Sequence, residues 1–388
     1  MFSRHTFVRV ATGKHIIKAT LLAFALGLSG AAHAELQPLK IRLASDLVGP
    51  PHPAGITMAY LQERLPQVIP GSSMLVYYAG GLYRIPEAVE AMTEGNLEMA
   101  FGQFGKTASI EPYMSVVNGP LKLTTPGAMN AHDNFETYKF LEKRMLDVHG
   151  VRLFGSAHLS LYLGLGAKFR IKAPGDISGK KFRGAGPAEN ASMEAWGASA
   201  ISMAFGDVPP ALETGVIDGV MTSLGGFNAI RDQIPYFTVA GINGFMGDRY
   251  WLGVSEVWWK KLNKETQTAF HNLVVGEAIP LEKKLNWCND KKMIDKYGTT
   301  DPTKPGIYTL SSAESKVFQD KLGTATDKFI KSITPDGANK WVDKFAMEAK
   351  AAVAANPLGS DPLEKTDCKA LTSWWTKYAK WGRPKKKK

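Results

Sequence analysis

The feature that most constrains the fold is an alternation of strand and helix patterns that begins near residue 40. Three short apolar runs, at residues 40–45, 74–78 and 97–101, predict β-strands. The stretches between them carry apolar residues at helix spacing, and the second of these begins at Pro86 and ends at Gly95. Strands joined one to the next by single helices are typical of a largely parallel sheet. The sequence therefore predicts an α/β fold.

The same alternation resumes at residue 151 and ends in a run of helices. We expect strands at residues 151–154, 160–165, 182–184, 216–220 and 248–255. We expect helices at residues 189–196, 209–215 (capped by Asp207), 256–262, 264–296 (with a kink at Pro280), 312–333 and 336–354. A chain of 388 residues, 44% of them hydrophobic, is too long for one comfortable core. Two α/β lobes followed by packed helices are the predicted architecture.

The N-terminus has the pattern of a secretory signal peptide. Residues 1–18 carry four basic side chains and no acid, and an apolar run of ten residues, 19–28, follows. A small-residue cleavage site then ends at Ala34. The alternative is an N-terminal membrane anchor, but a bilayer span needs about 20 apolar residues. We expect cleavage after Ala34 and export to a bacterial periplasm.

The chain is basic, with a formal net charge of +11 and 47 Lys and Arg against 36 Asp and Glu. Four of these charges lie in the predicted signal peptide and four in the final run Lys385–Lys388. The rest of the chain is therefore close to balanced, and with export it predicts no nucleic-acid partner. The aromatic and basic stretch 374–388 is compatible either with contact to an anionic lipid or partner, or with a solvated chain end.

The chain has two cysteines, Cys288 and Cys368. An even count in an oxidising compartment favours a disulfide between them. Two buried free thiols are the alternative.

Motifs of catalysis are absent or incomplete. Residues 175–181 approach a phosphate-binding loop but are one residue short and lack its closing Ser or Thr. The sequence contains no G-x-S-x-G, H-E-x-x-H or C-x-x-C pattern, so we expect no enzyme activity, cofactor or metal. His52, in a Gly/Pro loop after the first strand, is a candidate ligand contact, although an ordinary loop histidine fits the same pattern.

One central region carries a specific motif. Residues 177–184 read ISGKKFRG, and residues 196–223 read WGASAISMAFGDVPPALETGVIDGVMTS. They resemble the DctP-type solute-binding proteins of TRAP transporters, except that Ala200 or Ile201 stands where the family usually has proline. Residues 87–101, EAVEAMTEGNLEMAF, resemble an upstream family pattern. The resemblance covers nearly all of the chain after residue 34.

This resemblance implies a periplasmic-binding-protein-like fold: two α/β lobes around a central cleft, joined by crossing hinge strands and a long connecting helix. Lobe I is expected at residues 35–158 and 249–285, and lobe II at 159–248 and 286–388, including the C-terminal helices. The hinge is expected near 156–162 and 247–252.

The resemblance also implies roles for individual residues. Arg183 corresponds to the arginine that binds the substrate carboxylate, a role that its planar fork suits. Phe205 corresponds to a phenylalanine that packs on the ligand. Thr222 stands where many members have asparagine, and this departure puts that contact in doubt. Leu163 stands where some members have a second arginine, which argues against a dicarboxylate or acidic sugar held at both ends.

Further ligand contacts are expected after the third strand and around the cleft. The candidates are Gln103, Phe104, Tyr83, Arg84, Tyr250 and Trp251. So many aromatic residues are compatible with a monocarboxylate that has an apolar or aromatic body.

The resemblance implies a monomeric receptor that binds an organic acid anion without catalysis and delivers it to TRAP membrane permease subunits. Two alternatives remain open. One is an ABC-type or regulator-linked binding protein of the same shape, and the other is a periplasmic hydrolase of anionic substrates.

Overall fold

The computed structural model describes residues 35–378 except 246, 248, 336 and 338. The predicted signal peptide, with its cleavage site after Ala34, and the Lys385–Lys388 run lie outside the described residues. No helix within the described part is long and apolar enough to cross a membrane.

Twelve strands form two sheets in the described part of the chain. The strands are β1 Lys40–Ala44, β2 Ser73–Tyr77, β3 Met99–Gln103, β4 Val151–His158, β5 Leu163–Ala167, β6 Lys181–Gly184, β7 Ser199–Ser202, β8 Gly219–Ser223, β9 Tyr236–Val239, β10 Arg249–Ser255, β11 Gly298–Thr299 and β12 Gly306–Thr309. Sheet A has the order β2-β1-β3-β10-β4, and sheet B has the order β11-β12-β9-β5-β8-β6-β7. In sheet A only β10 runs antiparallel to its neighbours, and in sheet B only β5 does.

Helices cover the sheets. They are α1 Pro53–Val68, α2 Ile85–Thr93, α3 Phe104–Thr107, α4 Pro126–Ala131, α5 Glu136–His149, α6 Pro187–Ala195, α7 Val208–Glu213, α8 Leu224–Ile230, α9 Glu256–Trp259, α10 Lys264–His271, α11 Ile279–Tyr297, α12 Ser312–Leu322, α13 Ala325–Ile333, α14 Asn339–Ala355 and α15 Cys368–Tyr378. Short 3-10 helices are Pro112–Asn118, His132–Asn134, Pro174–Ile177, Phe205–Asp207 and Pro362–Lys365. We call sheet A with its helices lobe I and sheet B with its helices lobe II. The predicted two-lobe α/β fold class is confirmed.

The chain passes between the lobes four times in its described part. Residues 159–162 lead from β4 to β5, and residues 240–248 lead back from β9 to β10. The third passage runs along α11, which a π-helical segment, Asn272–Ala278, joins to α10, and the fourth lies between α12 of lobe II and α14 of lobe I. Pro280 has no N–H to continue the regular helical pattern, and the π-helical segment lies just before it. Helix α11 packs on β4 of lobe I and reaches α8, β11 and β12 of lobe II.

A buried carboxylate holds the first passage. Asp290 of α11 accepts hydrogen bonds from the Ser160 hydroxyl at 2.5 Å and from the backbone N–H of Leu161 at 2.7 Å. Burial raises the pKa of Asp290 to about 6. The long helix therefore fixes the crossing backbone directly.

The C-terminal helices differ from the prediction, which assigned residues 286–388 to lobe II. Helix α12 packs on α6 of lobe II, but α14 packs on α4 and α5 of lobe I. Its apolar stripe, which includes Val342 and Phe345, completes the core of lobe I on that side. Helix α15 packs on α1 of lobe I and is joined to α11 by the disulfide Cys288–Cys368. The predicted single helix 312–333 is interrupted at Gly323, which adopts a positive φ of 51°.

Candidate ligand cleft

A cleft of about 210 Å³ lies between the two lobes. Its charged and polar lining comprises Asp46, His52, Arg84, Gln103, Lys106 and Tyr250 from lobe I and Arg183, Asp207, Thr222 and Ser223 from lobe II. Smaller or apolar side chains complete it, including Leu47, Leu159, Ala185 and Phe205. Sequence reasoning named seven of the lining residues as ligand candidates, Phe205 among them, and missed Asp46, Lys106, Asp207 and Ser223.

Arg183 is the most buried charged side chain of this lining, at 4% exposure. It lies on β6 between β7 and β8, opposite Ile201 and Val220. Its Nε donates to the Met203 carbonyl at 3.0 Å and its Nη1 to the Met221 carbonyl at 3.3 Å. Because both acceptors are main-chain carbonyls, one just after β7 and the other within β8, the guanidinium plane is fixed before any ligand arrives.

Phe205 and Thr222 lie beside this guanidinium. The Phe205 ring centroid is 6.0 Å from the Arg183 Cζ. Thr222 is 5% exposed and is followed by Ser223, whose hydroxyl caps α8 through the Gly226 N–H at 3.1 Å. At Gly226 an added Cβ would lie 2.2 Å from the Thr222 Oγ1. Glycine at this position leaves room for the hydroxyl, which can donate to or accept from a ligand.

Lobe I contributes charges from segments that follow its parallel strands. Asp46 follows β1, Lys106 lies in α3 after β3, and Arg84 precedes α2. Burial raises the pKa of Asp46, while the nearby Lys106, the Ile85 backbone N–H and Arg84 act in the opposite direction. The carboxyl ends of parallel strands meet at one edge of a sheet. This rule could have predicted that Asp46 and Lys106 lie at the cleft.

Gln103, His52 and Tyr250 complete the polar side of lobe I. Gln103 is the last residue of β3 and is paired with Tyr250 of β10. His52 is the N-cap of α1, and its Nδ1 accepts the Ala54 N–H at 3.2 Å. Burial lowers the pKa of His52 to about 4, so the imidazole is neutral at neutral pH.

Three of the predicted contacts do not line the cleft. Trp251 follows Tyr250 in β10, and alternation along the strand turns it to the opposite face, where its Nε1 donates to Thr107 at 2.8 Å. Phe104 is fully buried against Tyr138, because β3 continues to Gln103 and the next residue begins α3. Tyr83 packs partly buried against the core of lobe I instead.

Asp207 also differs from its predicted role as a helix cap. It occupies the N-cap position of α7, but its side chain makes no capping hydrogen bond. Its backbone is already helical because the 3-10 turn Phe205–Asp207 runs directly into α7. The carboxylate lines the mouth of the cleft.

The lobes approach each other closely at two glycines of lobe II. An added Cβ at Gly186 would lie 2.7 Å from the Gly105 carbonyl oxygen of lobe I. An added Cβ at Gly225 would lie 3.2 Å from the His52 ring. The absence of a side chain at both positions permits the observed closeness of the two walls.

The chemistry of this lining is that of anion binding. Three cationic side chains face two carboxylates, and the most buried of the five is a cation. Within the described residues no group of three His, Cys, Asp or Glu side chains is placed to hold a metal ion.

The chain matches one family of known proteins along most of its length. Residues 44–332 match the family model for bacterial extracellular solute-binding protein, family 7. The C4-dicarboxylate-binding periplasmic protein DctP of Rhodobacter capsulatus is 25% identical over 336 residues, which are 82% of this chain and 95% of that protein.

Two solved structures share the fold. The sugar acid binding protein DctPAm of Advenella mimigardefordensis, in complex with galactonate, has a TM-score of 0.72 at 18% identity and covers 82% of this chain and 100% of its own. A TRAP periplasmic solute-binding protein of Desulfovibrio salexigens, with bound orotic acid, has a TM-score of 0.70 at 17% identity and covers 81% and 99%. The chain therefore belongs to family 7 of the bacterial extracellular solute-binding proteins, the DctP-type solute receptors of TRAP transporters.

Proposed function

We propose that Arg183 anchors the carboxylate of a small organic acid in the interlobe cleft. The observation that carries this proposal is the nearly buried guanidinium, whose Nε and Nη1 are fixed by the Met203 and Met221 carbonyls at the wall of the cleft. A carboxylate that reached this group would exchange water for charge-assisted hydrogen bonds in a region of low dielectric. A fork that is already oriented loses little entropy when it binds.

The rest of the ligand is polar rather than aromatic. The expectation of an apolar or aromatic body rested on five aromatic candidates, of which only Phe205 and Tyr250 line the cleft. Opposite Arg183, lobe I presents Asp46, Arg84 and Lys106, which suit hydroxyl groups or a second acidic group. The cleft volume of about 210 Å³ is below the ~300–1,000 Å³ typical of drug-sized sites and suits a compact acid. The printed ligands of the relatives, C4-dicarboxylates, galactonate and orotic acid, are all small acids.

The receptor works in the periplasm as a monomer after cleavage behind Ala34, and it hands its ligand to TRAP permease subunits without changing it. Family membership supports this proposal over an ABC-type or regulator-linked receptor, and the signal-peptide pattern supports export. Nucleic acid is not a partner, since the cleft is small and much of the formal positive charge lies at the two chain ends.

The test compares two arginines of lobe II that both donate to main-chain carbonyls. Arg170 holds the carbonyls of Phe237 and Lys304, both at 2.7 Å, away from the cleft. Arg183→Lys is expected to raise the Kd for the bound acid about 10- to 100-fold, since a charged hydrogen-bond contact contributes roughly 1.5–3 kcal/mol. Arg170→Lys should lower the melting temperature and leave the Kd within about threefold.

The measurement is isothermal titration calorimetry with the acid identified by mass spectrometry of natively purified protein. Equal changes in Kd in the two variants would contradict the proposal that Arg183 anchors the carboxylate. Recovery of chemically altered acid after incubation would instead support the hydrolase alternative.

A further inference from the structure

The C-terminal helix α15 lies beyond residue 332, where the match to the family model ends. It packs on α1 of lobe I and on the long helix α11. The three helices share a small apolar core that consists of Ile56, Ala59, Leu281, Leu285 and Tyr378. Helix α15 therefore lies outside the matched part of the chain, yet it packs on a helix that begins at the ligand cleft.

The segment just before α1 forms part of the lobe I wall. We call residues 48–52 the wall loop, and its Val48 and His52 line the cleft. The loop follows β1 and ends at the N-cap of α1. An added Cβ at Gly225 of lobe II would lie 3.2 Å from the His52 ring. A shift of the wall loop would therefore change how the two lobes fit together around a ligand.

The middle of the wall loop contacts both α1 and α15. At Gly55 of α1 an added Cβ would lie 2.2 Å from the Gly49 carbonyl carbon, so the loop backbone runs directly against the first turn of the helix. Two residues further on, the Pro51 carbonyl oxygen accepts a hydrogen bond from the Trp375 Nε1 at 3.1 Å. Because Pro50 and Pro51 have no N–H, the loop has few main-chain donors with which to fix its own shape. Trp375 supplies a contact to it from a separate helix.

Helix α15 is itself anchored at both ends. Its first residue, Cys368, is joined to Cys288 of α11 by the disulfide. Its last residue, Tyr378, donates from its hydroxyl to the Glu63 carboxylate of α1 at 2.7 Å. Trp375 lies between these two anchors, so its indole N–H is carried by a helix that is held on both sides of it.

We propose that Trp375 is a positioning residue for the ligand cleft: it holds the wall loop, and with it Val48 and His52, where the two lobes can close on a ligand. The role of the cleft rests on the proposed function, whereas the contact with Pro51 does not. The alternative is that α15 only adds apolar packing to α1. Loss of packing would lower the stability of the chain, whereas loss of positioning would change the cleft more than the stability.

The test compares two hydrogen bonds of α15, one to the wall loop and one away from it. Trp375→Phe keeps an aromatic ring and removes the donor to Pro51. Tyr378→Phe removes the donor to Glu63, which lies about 15 Å along α1 from Pro53.

Affinity is measured by calorimetry with the organic acid that is retained through native purification. Trp375→Phe is expected to raise the Kd about 3- to 10-fold, which corresponds to the loss of one hydrogen bond. Tyr378→Phe should leave the Kd within about twofold and lower the melting temperature at least as much as Trp375→Phe does.

A second readout needs no ligand. An NMR titration of the free protein follows the imidazole of His52, whose signal is assigned by its loss in His52→Asn. Burial lowers the pKa of this group to about 4. A wall loop released from Trp375 would admit water to the ring and raise the pKa towards its ordinary value. We expect this rise in Trp375→Phe and not in Tyr378→Phe.

A third variant removes the anchor instead of the contact. Cys288→Ser combined with Cys368→Ser frees the first turn of α15, so we expect it to raise both the Kd and the pKa of His52. Because both changes act through the same hydrogen bond to Pro51, adding Trp375→Phe to this variant should raise the Kd by less than about twofold more.

An unchanged pKa of His52 in Trp375→Phe would overturn the proposal, since the wall loop would then not depend on the contact. Equal effects of Trp375→Phe and Tyr378→Phe on both readouts would also overturn it and would assign α15 to packing alone. If wild type retained and bound no organic acid, the proposed function would fail, and the His52 titration alone would decide the role of Trp375.

Discussion

The lobe II wall of the cleft carries its cation on a nearly buried side chain, whereas the lobe I wall carries its cations on more exposed ones. Arg183 is held by two main-chain carbonyls. Arg84 is exposed and directly precedes α2, and Lys106 is half-buried and lies in the short helix α3. A guanidinium held in this way suits the carboxylate that we propose it binds. The more exposed cations suit the remaining part of that ligand.

If the two walls bind different parts of the ligand, both must contact it at once. The glycines at which the walls approach each other allow this to be tested. We expect Gly186→Ala to weaken ligand binding most, about 100-fold, because its Cβ would meet the Gly105 main-chain oxygen at 2.7 Å and hold the lobes apart. Gly225→Ala should weaken binding less, about tenfold, since the His52 ring at 3.2 Å can shift.

The control for this series is Gly175→Ala, where an added Cβ meets nothing within 4 Å. Its Kd should equal that of wild type. Calorimetry gives the affinities, and small-angle scattering with and without ligand shows whether the lobes remain apart. Equal affinities throughout the series would mean that the ligand contacts only one wall.

The two walls also differ in how far the sequence could predict them. Arg183, Phe205 and Thr222 lie in one continuous motif, so a resemblance located all three on the wall. Asp46 and Lys106 come from separate segments that follow β1 and β3, and no local pattern links them. Only the parallel pairing of β1 with β3 brings them together, and that pairing is a long-range contact.

The second prediction concerns the two more exposed cations of the lobe I wall, Lys106 and Arg84. Lys106→Gln and Arg84→Gln are each expected to raise the Kd by about 3- to 10-fold, with a larger effect for acids that carry a second anionic group. The affinities of a monocarboxylate and a dicarboxylate of the same chain length should be measured against each variant. Lys181→Gln, which removes an exposed charge at the start of β6 outside the cleft, is the control. A loss as large as that of Arg183→Lys, for both acids, would remove the distinction between the walls.

A boundary error of two residues accounts for the expectation that Phe104 lines the cleft, and the choice of strand face accounts for that of Trp251. The third strand was predicted to end at residue 101, but β3 ends at Gln103, which makes Phe104 the first residue of a buried helix. In β10 the choice between Tyr250 and Trp251 depends on which face of the strand meets the cleft, and a fully buried strand shows no polar alternation to decide it. The long helix α5 had a readable end at Gly150, which adopts the left-handed conformation, yet it was not predicted.

The smallest effect is expected from His52, whose ring lies on the lobe I wall against Gly225. The pKa of this histidine falls from 6.5 to about 4 in the folded protein because its charged form is desolvated. The unfolded chain therefore binds a proton that the native chain does not bind between these values, and stability falls as the pH falls from 6.5 towards 4. His132, with a pKa lowered to about 3 by burial, acts with the same sign.

His52→Asn keeps a capping oxygen for α1 and removes the imidazole, so it should reduce this acid-induced loss by on the order of 1 kcal/mol. Urea unfolding at neutral and mildly acidic pH measures the difference, with the exposed His271→Asn as the control. At neutral pH the Kd for the acid should change by less than about threefold, because a neutral imidazole gives the anion no ionic contact. A tenfold loss of affinity at neutral pH would make His52 a direct ligand contact, and the lobe I wall would then contain a fixed anchor of its own.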